Sequence, residues 1–197
     1  MQQYIVLDLE TTGLSKHKHN ITEIAAVKVN NNKIVNEFST LINPCQHIPS
    51  FITRITGIND KMVAEAPKIN QALPHFLKFL KDDVIIAHNA TFDHGFISEN
   101  AARHTNTSFL NSRVCTRKLA TRLLPTLPSK RLECVCNHFN IKNQEAHRAM
   151  GDTIATAEVF SNFLNILNKA EIKTKEDILK FESMPVPKAK RLIYNNL

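Results

Sequence analysis

The sequence lacks three features that would each have indicated another class of protein. Its four cysteines include no Cys-x-x-Cys pair, so we expect neither a zinc site nor a disulfide framework. The thiols are typical of small core residues in a reducing compartment. No apolar run approaches the length of a membrane span, and no basic segment followed by an apolar run stands near the first residue. The sequence therefore predicts a cytoplasmic protein with no signal peptide and no contact with membrane.

Glycine is also scarce, with 4 residues in a chain of 197. A chain this sparing with glycine is expected to place it where the backbone turns tightly or approaches a ligand. The four residues are Gly13, Gly57, Gly95 and Gly151. They mark the stretches in which functional residues are expected.

Length and charge set the broad class. A chain of 197 residues suits one α/β domain with a full core, and 43% hydrophobic with 22% charged residues is the composition of a soluble globular protein. The formal net charge is +7 and the pI is about 9.3. A basic surface suits a polyanionic partner such as nucleic acid, although ordinary solvated lysines would give the same total.

The first strand, predicted over residues 4–10, is the stretch around which the chain is organised. Asp8 and Glu10 interrupt an otherwise apolar run. Residues two apart on a strand point to the same face, so both carboxylates project together beside a buried core. Two carboxylates held this close repel each other, and burying them is costly unless a cation joins them. The pattern predicts a divalent metal site.

Apolar periodicity along the chain predicts a strand meander followed by helices that alternate with strands, which is one mixed α/β domain. Pro74 lies within one helical stripe and indicates a kink or a later helix start, and Thr91 is a plausible N-cap for the next helix. Residues 174–177 resemble a capping box. The predicted strands cover 4–10, 21–29, 34–42, 84–87 and part of 109–115; the predicted helices cover 67–80, 92–101, 116–124, 130–139, 147–168 and 174–184.

Three further residues are candidates for completing the metal site. Asp93 follows the buried strand 84–87, and Asp152 lies near the start of the long helix. Taken alone, each is also explained as a first-turn residue, because helix N-termini favour negative charge. His147 precedes Asp152 by five residues, a spacing that does not share a helix face, so we expect it on the loop leading into the helix. There a histidine, which changes charge near neutral pH, would suit the role of general base, although an isolated histidine is more commonly a surface or core residue.

Three stretches in this order resemble the exonuclease motifs of the DEDD superfamily. The His-x4-Asp form of the third resembles the DEDDh branch, and the closest resemblance is to the proofreading 3′–5′ exonuclease (epsilon-subunit) family of bacterial DNA polymerase III. The resemblance extends over residues 3–167 and includes the loop 55–58. The three motifs are Asp8-Leu9-Glu10-Thr11-Thr12-Gly13, His88-Asn89-Ala90-Thr91-Phe92-Asp93 and His147-Arg148-Ala149-Met150-Gly151-Asp152.

This resemblance implies a ribonuclease-H-like α/β fold with a five-stranded mixed sheet flanked by helices. It implies a DEDDh exonuclease domain over residues 1–170. The resemblance does not cover residues 171–197, whose composition predicts a helical and basic tail. It makes Asp8, Glu10 and Asp152 direct ligands of two Mg²⁺ or Mn²⁺ ions, with Asp93 helping to hold the second ion. His147 would take a proton from the attacking water.

The implied activity is metal-dependent 3′–5′ hydrolysis that releases 5′-mononucleotides from DNA in proofreading or repair. Trimming of RNA is the alternative within the same chemistry, and a non-catalytic module that holds nucleic-acid ends is the alternative outside it. The candidate substrate contacts are Leu9, Thr11, Thr12, Thr56 and Phe92. Phe92, at helical spacing from Phe96, is more commonly a core residue than a base-stacking one, and Thr56 stands where epsilon proteins commonly carry histidine.

The expected partners are single-stranded or frayed 3′ ends of nucleic acid, with DNA favoured. A polymerase subunit is a further candidate partner for the basic tail, in which residues 188–191 carry the positive charge and residues 192–194 are apolar or aromatic. A frayed terminus with a few charges explains the same segment.

Overall fold

The computed structural model describes residues 3–194. The last three residues of the predicted tail, 195–197, and the side chain of Tyr194 lie outside the described part of the chain. No helix among residues 3–194 combines the length and the apolar character that a membrane span requires.

The centre of the molecule is a five-stranded sheet with the order β3-β2-β1-β4-β5. The first three strands form an antiparallel meander, whereas β4 and β5 run parallel to β1. The mixed five-stranded sheet predicted from the sequence is therefore confirmed. The strands are β1 (Gln3–Thr11), β2 (Ile21–Asn30), β3 (Lys33–Leu41), β4 (Ile85–Ala87) and β5 (Arg113–Cys115).

Helices cover both faces of this sheet. Within the described residues they are α1 (Ser50–Thr56), α2 (Asp60–Val63), α3 (Ile69–Leu80), α4 (Ala90–Thr105), α5 (Thr116–Leu123), α6 (Leu132–His138), α7 (Ala149–Lys169), α8 (Lys175–Ser183) and α9 (Val186–Tyr194).

Side chains of β1 alternate between two hydrophobic cores. Tyr4 and Val6 belong to the core on the α7 side, where the Tyr4 ring meets Phe160 edge to face at a centroid distance of 4.9 Å. Ile5 and Leu7 belong to the core on the opposite side, which includes residues of α3 and α4. Because the period of a strand is two, residues 8 and 10 continue the face of Tyr4 and Val6. The fold thus directs both acidic side chains of β1 toward α7.

Several predicted helix boundaries were wrong. The helix expected to be capped by Thr91 begins at Ala90, and its N-cap is Asn89, which adopts a left-handed backbone with φ 80°. Pro74 lies inside α3, which begins at Ile69, so the later start after the proline was wrong. The long helix expected from residue 147 begins at Ala149. The short helices α1 and α2 were missed because four to seven residues carry too little periodicity.

The segment after residue 170 packs on the α7-side core. The predicted capping box is confirmed, since the Thr174 hydroxyl accepts from the Asp177 amide at 3.1 Å and the Asp177 carboxylate accepts from the Thr174 amide at 3.2 Å. The stretch after Pro187, predicted as part of a helical and basic tail, forms α9, in which Lys188, Lys190 and Arg191 carry the positive charge. Ala189 and Ile193, four residues apart on one face of α9, are buried in that core. The apolar positions of α9 are hard to recognise in the sequence because lysines and prolines surround them. Proline does not prevent the helix, since it is tolerated in a first helical turn.

Candidate active site

Three carboxylates from distant parts of the chain meet beside the end of β1. Asp8 and Glu10 project from the α7 side of the strand, and Asp152 lies in the first turn of α7. One carboxylate oxygen from each lies within 4.8 Å of the other two. This grouping of hard oxygen donors is the kind that binds divalent cations in proteins.

Asp93 lies next to the three-carboxylate cluster, in the first turn of α4, but is not a member of it. Its side chain is buried, and its carboxylate accepts hydrogen bonds from its own backbone amide and from that of Leu9. Burial raises the pKa of Asp93 to about 7 against the opposing effect of these bonds. Asp93 is therefore tied to β1 at the residue between the two acidic side chains.

The electrostatics of the cluster show why it needs a cation. Burial, followed by the neighbouring charges of Asp152, Glu23 and Asp93, raises the pKa of Glu10 to about 8. Burial, followed by the charges of Asp93 and Glu10, raises the pKa of Asp8 well above its usual range. Without a cation the site favours protonated carboxyl groups, and a divalent ion would instead hold the charged forms that it needs as ligands.

We expect the thermal stability of the metal-free protein to fall as the pH rises from about 5 to 9. The folded-state pKa values of Glu10 and Asp93, about 8 and about 7, exceed their usual values of 4.5 and 3.8. The folded protein therefore binds more protons than the unfolded chain over this interval. The resulting stability is fully present below about pH 4 and is lost as the pH rises through about 7 to 8. Thermal unfolding in EDTA at stepped pH measures this slope.

Added Mg²⁺ or Mn²⁺ is expected to reverse this loss of thermal stability at high pH. The rise in melting temperature should be largest at the alkaline end of the series. A ligand that binds the folded state alone stabilises it by mass action, and deprotonated carboxylates are the form that binds metal. A melting temperature that stays level with pH in EDTA, or that does not respond to divalent cations at pH 8, would contradict the argument from charge repulsion.

The loop before α7 holds both oxygens of Asp152. The Asn143 amide donates to Oδ1, and the backbone N–H of His147 donates to Oδ2 at 3.3 Å. His147 adopts a left-handed backbone with φ 63°, and its side chain is exposed. A Cβ at Gly151 would overlap the carbonyl group of Glu145, so the absence of a side chain at this position lets the loop lie against the first turn of the helix. The predicted position of His147, on a loop leading into the helix, is confirmed.

A partly buried ion pair that sequence reasoning missed anchors the start of α7. Glu23, on β2, is 3% exposed, and its carboxylate accepts from Arg148 Nη2 at 2.7 Å, Arg148 Nε at 3.2 Å and the Ala149 backbone N–H at 2.9 Å. Glu23 pairs with Glu10 across the two strands and thus shares its face. This pair fixes the first residues of α7, and hence Asp152, against the sheet. An acid within the apolar run 21–29 was the signal that could have found it.

The comparisons with known proteins agree with this geometry. Residues 5–160 match the family profile described as Exonuclease, of the RNase T type. The chain belongs to this exonuclease family. Its relatives include DNA polymerase III subunit epsilon of Aquifex aeolicus (strain VF5), which is 35% identical over 164 residues that cover 83% of this chain and 81% of the relative.

A second relative shows that the exonuclease unit also occurs within larger proteins. DNA polymerase III PolC-type of Caldanaerobacter subterraneus subsp. tengcongensis is 42% identical over 176 residues, which is 89% of this chain and 12% of the relative. This chain therefore spans only about one eighth, or less, of the length of these PolC-type relatives.

Solved structures confirm the fold. Exonuclease X in complex with 5′ overhanging duplex DNA superposes with a TM-score of 0.73 at 29% identity and covers 91% of this chain and 99% of that one. Escherichia coli Exonuclease I in complex with a dT13 oligonucleotide superposes with a TM-score of 0.73 at 17% identity, covers 91% of this chain and 46% of that one, and supports the fold alone. The predicted ribonuclease-H-like architecture is confirmed.

The three threonines predicted to bind substrate form hydrogen bonds within the protein through their hydroxyl groups. The Thr11 hydroxyl donates to the Gly13 carbonyl at 2.7 Å, and the Thr12 hydroxyl accepts from the backbone N–H of Asn20 at 3.0 Å. The Thr56 hydroxyl donates to the carbonyl of residue 52 at 3.1 Å and accepts from the amide of residue 58 at 3.1 Å. These bonds hold the turn after β1 and the end of α1. A role of the threonines in substrate binding stays a prediction.

The two apolar candidates lie on the other side of β1 from the acidic residues. Leu9 is buried in the core that packs on α3 and α4. Phe92 is half-buried against the same core, with its ring centroid 4.8 Å from that of Phe96. Phe92 also lines a surface cleft with Leu14 and Lys16. The partly buried ring agrees with the interpretation of Phe92 as a core residue, and its contact with substrate stays a prediction.

Proposed function

We propose that the chain is a metal-dependent 3′–5′ exonuclease that releases 5′-mononucleotides from the 3′ end of DNA, in proofreading or repair. The observation that carries the proposal is the grouping of the Asp8, Glu10 and Asp152 carboxylates, with His147 on the turn that is bonded to Asp152. Membership of the exonuclease family supports the reaction class. The names of the polymerase III relatives and the DNA held by Exonuclease X support the choice of DNA.

The residues divide into three roles. Asp8, Glu10 and Asp152 would hold two Mg²⁺ or Mn²⁺ ions, and Asp93 would support the second. When bound, the ions would supply positive charge at the phosphate and would make a bound water more acidic. His147 would take the proton of that water, since its exposed ring lies on the loop that is tied to Asp152.

The wider setting is also part of this proposal. Residues 1–170 would carry the activity, the location would be cytoplasmic, and the substrate would be a single-stranded or frayed 3′ end. A polymerase subunit would have to use the exposed side of α9, where Lys188 and Arg191 lie, because Ala189 and Ile193 are already buried within this chain. Contacts of Leu9, Thr11, Thr12, Thr56 and Phe92 with the terminal nucleotide are further proposals.

A time course on 5′-labelled single-stranded DNA and RNA of the same sequence tests the proposal. With Mg²⁺ or Mn²⁺ we expect the DNA to shorten one nucleotide at a time and to release 5′-mononucleotides, and we expect no cleavage in EDTA. Faster trimming of RNA would overturn the assignment of DNA as substrate. Binding of 3′ ends without cleavage of either polymer would overturn the catalytic proposal.

A further inference from the structure

A groove leads away from the acidic cluster on the side of α5 and α6. Its cavity measures about 960 Å³, which lies at the upper end of the volumes typical of ligand pockets. His147 and Asp152 are among the residues that line it. Arg117, Arg131 and Lys142 line it as well, and we call these three residues the cationic wall.

The positive charges of the cationic wall are not neutralised by ion pairs among the described residues. Its three side chains are exposed, and none of them forms an ion pair within residues 3–194. Apart from Asp152, the described residues that line the groove include a single carboxylate, that of Glu133. A cluster of carboxylates repels a phosphodiester, so a strand that enters the site needs compensating cations next to it. The cationic wall lines the same groove as Asp152 and His147 and can supply that compensation.

A partly buried histidine, which also lines the groove, fixes the positions of the two arginines of the wall relative to the sheet. His88, directly after β4, makes hydrogen bonds through both ring nitrogens, from Nδ1 to the Thr116 hydroxyl at 2.9 Å and from Nε2 to the Lys130 carbonyl at 2.9 Å. Burial lowers the pKa of His88 to about 4, so the ring is neutral at pH 7. A neutral ring that faces a carbonyl donates through Nε2 and accepts the Thr116 hydroxyl at Nδ1. The residues immediately before Arg117 and Arg131 are thus fixed to one ring.

We infer that the cationic wall binds the phosphodiester backbone of single-stranded nucleic acid on the 5′ side of the scissile phosphate. This inference rests on the proposed function and names a second part of its substrate site. Within the described part of the chain no Phe, Tyr or Trp lines the groove, so it lacks the large aromatic rings on which bases commonly stack. Recognition would be of phosphate charge, independent of sequence and equal for DNA and RNA strands.

The test compares two substrates on one protein. One is a single-stranded 12-mer, and the other is the p-nitrophenyl ester of thymidine 5′-monophosphate, which has no phosphodiester on the 5′ side of the one that is cleaved. The double variant Arg117→Gln/Arg131→Gln is expected to raise KM for the 12-mer roughly tenfold relative to the ester, because exposed ion pairs contribute roughly two- to fivefold each. The matched control Lys169→Gln removes the same type of charge at the far end of α7, about 25 Å from Asp152. This control variant should leave KM unchanged for both substrates.

Salt dependence gives a second measure. Each phosphate contact with a single strand contributes about 0.7 to the slope of log Kd against log salt concentration. Fluorescence anisotropy of a labelled 12-mer should therefore show a slope that is smaller by about 1.4 in the double variant, with DNA and RNA alike. An unchanged slope and an unchanged KM ratio would overturn the inference. A change of slope with only DNA or only RNA would contradict the statement that the cationic wall recognises the phosphates alone.

The outcomes separate this inference from the proposed function. Failure of the wild type to hydrolyse the ester and the 12-mer would contradict the exonuclease itself. Normal hydrolysis of both, with no effect of the two arginines, would contradict only the cationic wall. If the double variant does not fold, chain-length dependence in the wild type decides the matter, since a dinucleotide should have a higher KM and a weaker salt dependence than the 12-mer.

Discussion

Replacement of Asp8 by asparagine is expected to lower kcat for 3′-end hydrolysis by roughly a thousandfold or more and at the same time to stabilise the metal-free protein. The Asp8→Asn change would keep the shape of the side chain but remove a charge from the cluster. In the wild type that charge lies close to Asp93, Glu10 and Asp152, and all three raise the pKa of Asp8. Removing it relieves repulsion when no cation is present and removes a ligand when one is.

Two measurements test this pair of effects. We expect the melting temperature in EDTA at pH 8 to rise by roughly 2–4 °C for each kcal/mol of repulsion relieved. The rise in melting temperature on addition of Mg²⁺ should be smaller in Asp8→Asn than in the wild type. Asp82→Asn, at an exposed aspartate just beyond α3, is the matched control and should alter neither property. Retained activity would exclude Asp8 as a ligand, and a lower melting temperature in EDTA would contradict the account of the cluster as a repulsive one.

Local rules predicted one half of the site well. The alternation of β1 was enough to place Asp8 and Glu10 on one face, and that face continues the core positions Tyr4 and Val6. The helix that covers this face could not be deduced locally, because α7 lies more than a hundred residues further along the chain. Asp152 was assigned through the resemblance of its motif, and the structure places its carboxylate with the other two.

Long-range polar pairs were beyond the reach of sequence patterns. Glu23 and Arg148 are 125 residues apart, and neither fits a local motif that would pair it with the other. The Asn143 amide likewise meets Asp152 through a loop whose path depends on the missing side chain at Gly151. Periodicity reports which face of an element is buried, whereas such contacts depend on how distant elements pack.

His147→Ala is expected to lower kcat about 10²- to 10⁴-fold, the range associated with loss of a general base, and to change KM for a 12-mer little. The side chain is exposed, and the hydrogen bond that ties residue 147 to Asp152 comes from the backbone. Alanine keeps that bond, so the loop and the position of Asp152 should persist. The melting temperature should therefore match that of the wild type, as should the rise on addition of Mn²⁺.

This last comparison separates proton transfer from metal binding. A residue that holds the ions would lose the metal-induced rise together with activity, as we expect of Asp8→Asn, whereas His147→Ala should lose activity alone. Added imidazole, which can take a proton from water, should restore part of the lost rate. His75→Ala, at an exposed position on α3, is the matched control and should leave kcat unchanged. If His147→Ala hydrolyses DNA at the wild-type rate, the water must lose its proton by a route that does not involve this side chain.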